Sequence, residues 1–202
     1  SLTADQCESV NYINSEADRA MVVVSDLLAF ARKTGPRVAA IDLNDLIEQT
    51  LRLRKYRLST SNVDVRLSLA PALRRVQGDD RQLQQVLLNL IVNAEQAMAS
   101  GSTRRLTIST ANRGDRVNIE VRDTGSGMTV DVRNRIFEPF FTTKPEGTGT
   151  GLGLSVSYGI IRSHGGSLSV ESSPGAGAAF HISLPATEGS PSFFALEENI
   201  NE

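Results

Sequence analysis

The stretch "RRLTISTANRGDRVNIEVRDTGSGM", Arg104–Met128, decides how this chain is read. Its halves "RRLTISTANR" and "RVNIEVR" alternate polar and apolar residues, the period of a strand with one buried face. The "GD" between them has the chemistry of a tight hairpin turn. The second strand then runs straight into "DTGSGM", Asp123–Met128. Alone, that hexapeptide is an ordinary turn, since Asp and Gly are the commonest turn formers and Gly tolerates positive φ. The other reading is a backbone that passes close to a ligand.

Working outward, "DDRQLQQVLLNLIVNAEQAMAS" predicts a strong amphipathic helix from about Asp79 to Ala99, closed by Gly101 at the C′ position. Before it, Asp42 reads as the N-cap of a helix "LNDLIEQTLRLRKY", and "VDVRLSL" as a strand ended by Pro71. After the hexapeptide come a short helix around Val130 to Ile136, the loop "EPFFTTKPEGTGTG", a helix "LGLSVSYGIIRSH" and two closing strands, "GSLSVES" and "AAFHISLP". Strands and helices in this order predict an α+β domain, a two-layer α/β sandwich with its helices on one sheet face.

The first segment, "CESVNYINSEADRAMVVVSDLLAFARK", has neither Pro nor Gly over 27 residues. Its apolar positions Val10, Ile13, Ala17, Ala20, Val24, Leu27 and Ala31 step by three and four, which predicts one long helix with a narrow seam. Such a helix needs a partner to bury its face. "TGPR" breaks it at Thr34–Arg37. The expected organisation is therefore a helical piece over 1–35, a catalytic or binding domain over 36–186 and a tail over 187–202, in which Phe193 and Phe194 could dock.

Bulk properties narrow the function. At 202 residues, with 40% hydrophobic and 22% charged residues, the chain can bury a sizeable core. A net charge of -2 argues against a nucleic-acid surface, and the basic "RLRKYR" (Arg52–Arg57) reads as the solvated end of a helix. The single Cys7 excludes an internal disulfide framework and fits a reducing compartment. No apolar run reaches the ~18 residues of a membrane span.

Three further motifs carry chemistry. In "NLIVNA", Asn89 and Asn93 leave one helical face within a turn. They are either hydrogen-bonded structural amides or oxygens facing a hard cation such as Mg²⁺. In "GTGTGLGL", the glycines and the helix that follows offer close backbone approach and free N–H groups, the physics of phosphate binding, although plain connectors share that composition. The Walker pattern and the dinucleotide fingerprint both fail here. In "RIFEPFFTTK", Phe137, Phe140 and Phe141 surround Pro139, and Thr142, Thr143 and Lys144 end the loop where they could meet an anion.

In order and spacing, "QLQQVLLNLIVNAEQAM", "DTGSGM", "IFEPFFTTK" and "GTGTGLGL" resemble the N, G1, F and G2 boxes of sensor histidine kinases. These belong to the superfamily that includes gyrase, heat-shock chaperone and mismatch-repair ATPases. The resemblance covers roughly Asp42 to Pro185, and "NAEQAM" with "EPFFTTK" is most similar to the nitrogen-regulation type. It implies the Bergerat ATP-binding fold with ATP and Mg²⁺ as cofactors. Asp123 would then read the adenine amine, with Gly125, Gly127 and Met128 close to the base. Asn93 would be the Mg²⁺ ligand. Asn89 and Lys144 are the catalytic candidates, beside the phosphates. Gly149, Thr150, Gly151, Leu152, Gly153 and Leu154 would serve the phosphate chain, and Thr142 to Thr150, with Thr143, would form an ATP lid. Hydrolytic relatives carry a Glu where Asn89 stands, and an amide cannot take a proton from water, so the resemblance implies a kinase rather than a fast ATPase.

"EADRAMVVVSDLLAFARK" looks like the second helix of the family's dimerisation hairpin. The implied partners are a histidine-bearing hairpin, the receiver domain of a response regulator and, for the full-length protein, a second copy of itself, in the cytoplasm with or without a membrane anchor. Three features depart from the family. Gln96 and Ala97 replace basic and aromatic residues, Ala178 stands where a Thr is usual, and no acceptor-histidine box is present. The two histidines, His164 and His181, read as structural. A different class of function, a nucleotide-gated scaffold without phosphotransfer, shares the same binding residues.

Overall fold

The computed structural model describes residues 38–144 and 149–187, preceded only by Thr3, Gln6 and Ser9. Almost all of the helix expected over residues 7–33, the middle of the expected lid and the tail with Phe193 and Phe194 lie outside the described residues. The elements are β1 (Ala39–Ile41), α1 (Leu43–Thr60), β2 (Asp64–Ser68), β3 (Val76–Gly78), α2 (Asp80–Ala97), β4 (Arg105–Arg113), β5 (Arg116–Asp123), α3 (Val130–Arg135), α4 (Gly153–Ser163), β6 (Ser167–Ser172) and β7 (Ala178–Pro185). A mixed sheet runs in the order β2-β4-β5-β7-β6, with β2 parallel to β4 and the other pairs antiparallel.

The alternation of the opening stretch sets this sheet. Leu106, Ile108 and Thr110 of β4 and Val117, Ile119 and Val121 of β5 face inward and are buried. The "GD" turn closes the hairpin with Arg113 opposite Arg116 and Gly114 at φ 57°. Helix α2 starts where Asp79 accepts the N–H groups of Arg81 and Gln82, and it buries Leu83, Val86, Leu87, Leu90, Ile91 and Ala94. Each such side chain removed from water contributes about 1.5–3 kcal/mol, with less for Ala. Asp42 caps α1 through the N–H groups of Asn44 and Asp45, as its sequence position predicts. Helices α1, α2 and α4 cover the apolar sheet face, giving the two-layer α/β sandwich. Among the described residues no helix is long and apolar enough to cross a membrane.

Three local expectations need correction, and two short strands were not foreseen. The C-cap of α2 is Met98, whose N–H reaches the Ala94 carbonyl, and Gly101 lies beyond it, donating to the Met98 carbonyl. Helix α1 runs past Tyr56 to Thr60. The basic run is not wholly solvated, because Arg54 is half-buried with its Nη2 at 2.7 Å from Glu95 Oε2, tying α1 to α2. Strands β1 and β3, which pair Ala39 with Gly78 and Ile41 with Val76, are three residues each and too short to show a period in sequence.

Candidate functional site

Strand β5 delivers the first candidate residue. Its inward positions Val117, Ile119 and Val121 continue in step to Asp123, so the period that builds the core carries a carboxylate into it at the strand's end. Asp123 is 4% exposed. Its Oδ1 accepts the N–H of Gly125 at 2.7 Å and of Ala178 at 3.3 Å, which turns Oδ2 toward any further donor. Burial raises the pKa of this carboxyl above the usual 3.8, and the two backbone hydrogen bonds only partly offset it.

Glycines close the walls around it. Gly127 has φ 66°, and a Cβ there would lie 1.9 Å from the Ser173 carbonyl oxygen. Gly177 has φ 74°, and a Cβ there would lie 2.0 Å from the Asp123 carbonyl oxygen. Ser126 donates to the Ala97 carbonyl at 3.1 Å, and the N–H of Met128 donates to Ser172 Oγ at 2.9 Å. Gly125 sits so close to Ala97 that its Cβ would be 2.7 Å from that backbone. Ala97 thus contributes a small side chain and a carbonyl that let the turn seat on α2.

Helix α2 links this end to a second cluster. Asn89 lies eight residues before Ala97, about 12 Å along the helix axis. The Asn89 amide donates to the buried Ser157 Oγ at 3.0 Å, and a Cβ on Gly153 would fall 2.5 Å from Asn89 Oδ1. Gly153 opens α4, whose N-cap Leu152 supplies no side-chain cap, so the first N–H groups of that helix stay open to an anion. Gly151, at φ 65°, takes the N–H of Phe140 on its carbonyl at 2.9 Å, which fixes the loop start against the "EPFF" stretch. Leu152 N–H reaches Thr150 Oγ1 at 3.3 Å, and Leu154 turns its side chain into the core.

From the other side, Lys144 reaches across. Its Nζ donates to Asn93 Oδ1 at 3.2 Å and to Gln96 Oε1. The residue as a whole is exposed, yet desolvation of its ammonium lowers its pKa below the usual lysine value. Thr142 Oγ1 accepts the Lys144 N–H at 3.2 Å, and Thr143 is exposed beside them. Asn93 Oδ1 is therefore already turned toward positive charge. Among the described residues no group of three or more His, Cys, Asp or Glu could hold a metal alone, so a cation here would lean on an amide oxygen and on a ligand's own oxygens.

Several contributors escaped sequence reading. Ser157 orients Asn89, and the only hint was a serine on the apolar face of α4. Gly177 and Ala178 close on Asp123 through backbone atoms, hinted at by the glycines of "GAGAAF". Gln96 gains a contact that its departure from the family pattern obscured. The two histidines do sit away from this site. His164 Nε2 accepts the N–H of Asp79 at 3.0 Å and its Nδ1 lies 2.8 Å from the Ile160 carbonyl, so it ties the end of α4 to the start of α2. His181 lies on the outer sheet face, 3.6 Å from Glu120 and 3.8 Å from Glu171.

Comparison with known proteins matches residues 78–188 to the family described as histidine kinase-, DNA gyrase B-, and HSP90-like ATPase. The sensor histidine kinase ZraS of Klebsiella oxytoca is 41% identical over 84% of this chain, which spans 36% of that relative's length. Full-length ShkA, solved with AMPPNP, superposes with a TM-score of 0.74 at 28% identity, covering 92% of this chain and 40% of that one. The histidine kinase ThkA, solved with the response regulator TrrA, gives 0.71 at 28% identity, covering 89% of this chain and 51% of that one.

Proposed function

We propose, from the premise that this chain belongs to the family of histidine kinase-, DNA gyrase B- and HSP90-like ATPases, that it is the ATP-binding catalytic domain of a sensor histidine kinase. It binds ATP between β5 and α4 and directs the γ-phosphoryl group to a histidine on a dimerisation hairpin, for relay to the receiver domain of a response regulator. The observation that carries this reading is the buried Asp123 carboxylate, with Oδ1 saturated by two backbone donors and Oδ2 left to accept an amine such as that of adenine. The open N-terminus of α4 suits the phosphates, and Lys144 suits the terminal one.

Asn93 would hold Mg²⁺, which supplies charge neutralisation between the phosphates. The Asn89 amide, fixed on Ser157, cannot serve as a base for water, which favours transfer to an imidazole over hydrolysis. In that transfer an imidazole nitrogen bonds to the γ-phosphorus while the bridging P–O bond breaks and ADP leaves. The likeness to ShkA, solved with AMPPNP, and to ThkA, solved with TrrA, supports the nucleotide and the receiver partner. We further assign residues 1–35 to part of the hairpin, 36–186 to the catalytic domain and 187–202 to a tail. A cytoplasmic location and a homodimeric full-length protein follow from the same reading.

The test is incubation with γ-labelled ATP and Mg²⁺, with and without an added hairpin that carries a histidine. Acid-labile label should appear on the added hairpin and not on this chain. ATP binding without any transfer would instead favour the nucleotide-gated scaffold. Label on this chain that vanishes in His164→Ala or His181→Ala would overturn their structural assignment.

A further inference from the structure

Gln96 has no role in the function as described, yet it faces the site. It lies three residues after Asn93 on α2, so both amides leave one helical face, and Lys144 donates to both. The lysine is aimed there by its own loop. Its N–H closes onto Thr142 Oγ1, and the absent side chain of Gly149 makes room for its stem, since a Cβ there would sit 2.8 Å from Thr142 Oγ1 and 3.1 Å from Lys144 Cδ. Two cations within about 3 Å of one amide oxygen repel each other strongly where water is partly excluded. The Lys144 ammonium and a divalent ion therefore cannot share Asn93 Oδ1. Gln96 Oε1, one helical step away, offers the ammonium a second acceptor.

We propose that Gln96 is a positioning residue that keeps the Lys144 ammonium on helix α2, where it contends with the divalent cation for Asn93. The inference rests on the nucleotide reading given above and goes beyond it. Metal entry at Asn93 displaces Lys144 from that oxygen, and Gln96 retains the lysine near the phosphates rather than releasing it to solvent. Cation binding and lysine placement thereby become one exchange between two amides a turn apart.

Binding of Mn²⁺ to the ADP-loaded protein tests this by electron paramagnetic resonance, with no phosphoryl transfer involved. Lys144→Met should tighten Mn²⁺ binding about fivefold, the size of one exchanged hydrogen bond. Gln96→Leu, which keeps every charge, should tighten it by a smaller factor, because the ammonium displaced from Asn93 is then no longer held on α2 beside the cation, where it repels it. The double variant should equal Lys144→Met, since Gln96 acts only through the lysine. Effects that add, or an unchanged Gln96→Leu, would overturn the role of Gln96. Unchanged Mn²⁺ affinity in both single variants would overturn the competition itself, while wild-type ADP binding that is lost in Asp123→Asn would leave the nucleotide reading standing. A wild-type protein that binds no ADP would remove both.

Discussion

The two ends of the site are built differently. Around Asp123 the walls are backbone: Gly127 faces the Ser173 carbonyl, Gly177 faces the Asp123 carbonyl, and Gly125 faces Ala97. Around Asn89 and Asn93 the neighbours are side chains: the Asn89 amide beside Gly153, Ser157 beside Asn89, and Lys144 beside Asn93 and Gln96. Backbone walls cannot yield without moving strands, whereas amides and ammonium groups rotate within their rotamers. The first end suits an unchanging rigid ring; the second suits phosphates, a cation and a departing group that change during a reaction. Ala97, which seats the first end, and Asn89 thus lie about 12 Å apart on the same helix, with Asn93 and Gln96 between them.

That contrast is most exposed at its glycines. Gly127→Ala forces a Cβ against a carbonyl oxygen at a positive φ that itself costs ~1–2 kcal/mol for an L-residue. The total loss should be about 3 kcal/mol or more, and thermal melting should fall by roughly 6–12 °C. An unshifted melt would show that the base end can yield after all.

Asp123→Asn probes the same end without touching its walls. An amide oxygen can keep both backbone hydrogen bonds, but the exposed half now presents a donor to the adenine amine. Affinity for an ATP analogue should drop more than tenfold by calorimetry, from the ~1.5–3 kcal/mol of a hydrogen bond to a charged group. Stability should move the other way. Burial raises the folded-state pKa of Asp123 above 3.8, so the stability linked to its protonation is fully present below that value and is lost as pH rises through the elevated one. At neutral pH the Asn variant should melt at or above the wild-type temperature, and the difference should shrink on acidification. A variant less stable than wild type at pH 7 would mean that the carboxylate is structural.

At the other end, Asn93→Ala should reduce nucleotide affinity by roughly fivefold in Mg²⁺, about the worth of one oxygen contact, and by less in EDTA. Equal losses in both media would make Asn93 a structural amide. The smallest effect belongs to Gly153→Ala, the counterpart of Gly127→Ala. The nearest atoms to its Cβ would be those of the Asn89 side-chain amide, and Ala is the better helix former by roughly 1 kcal/mol, so the melt should change by a few degrees at most. A collapse like that of Gly127→Ala would erase the distinction between the ends.

Much of this was legible in sequence because it is local. The alternation of "RVNIEVR" predicted β5, and Asp123 stood out through its motif's resemblance to a family box; that it continues the inward positions of β5 is seen in the structure. Asp42 and Asp79 were readable as caps or helix starts because capping needs only the next three residues. Order and spacing of four motifs pointed to the family without any contact being known.

Only the tertiary structure decided what depends on atoms distant in the chain. Strands β1 and β3 form because Ala39–Ile41 and Val76–Gly78 meet across 35 or more positions, and neither carries a period of its own. Ala178 comes to Asp123 from 55 residues away, Ser157 to Asn89 from 68, and Lys144 to Gln96 from 48. The sequence determined which residue types were available and which faces they occupied, since those follow from periodicities of 2 and 3.6. Which amide received a cation and which received a hydroxyl was settled by packing of α2 against α4 and the loop before it, an arrangement that no local pattern encodes.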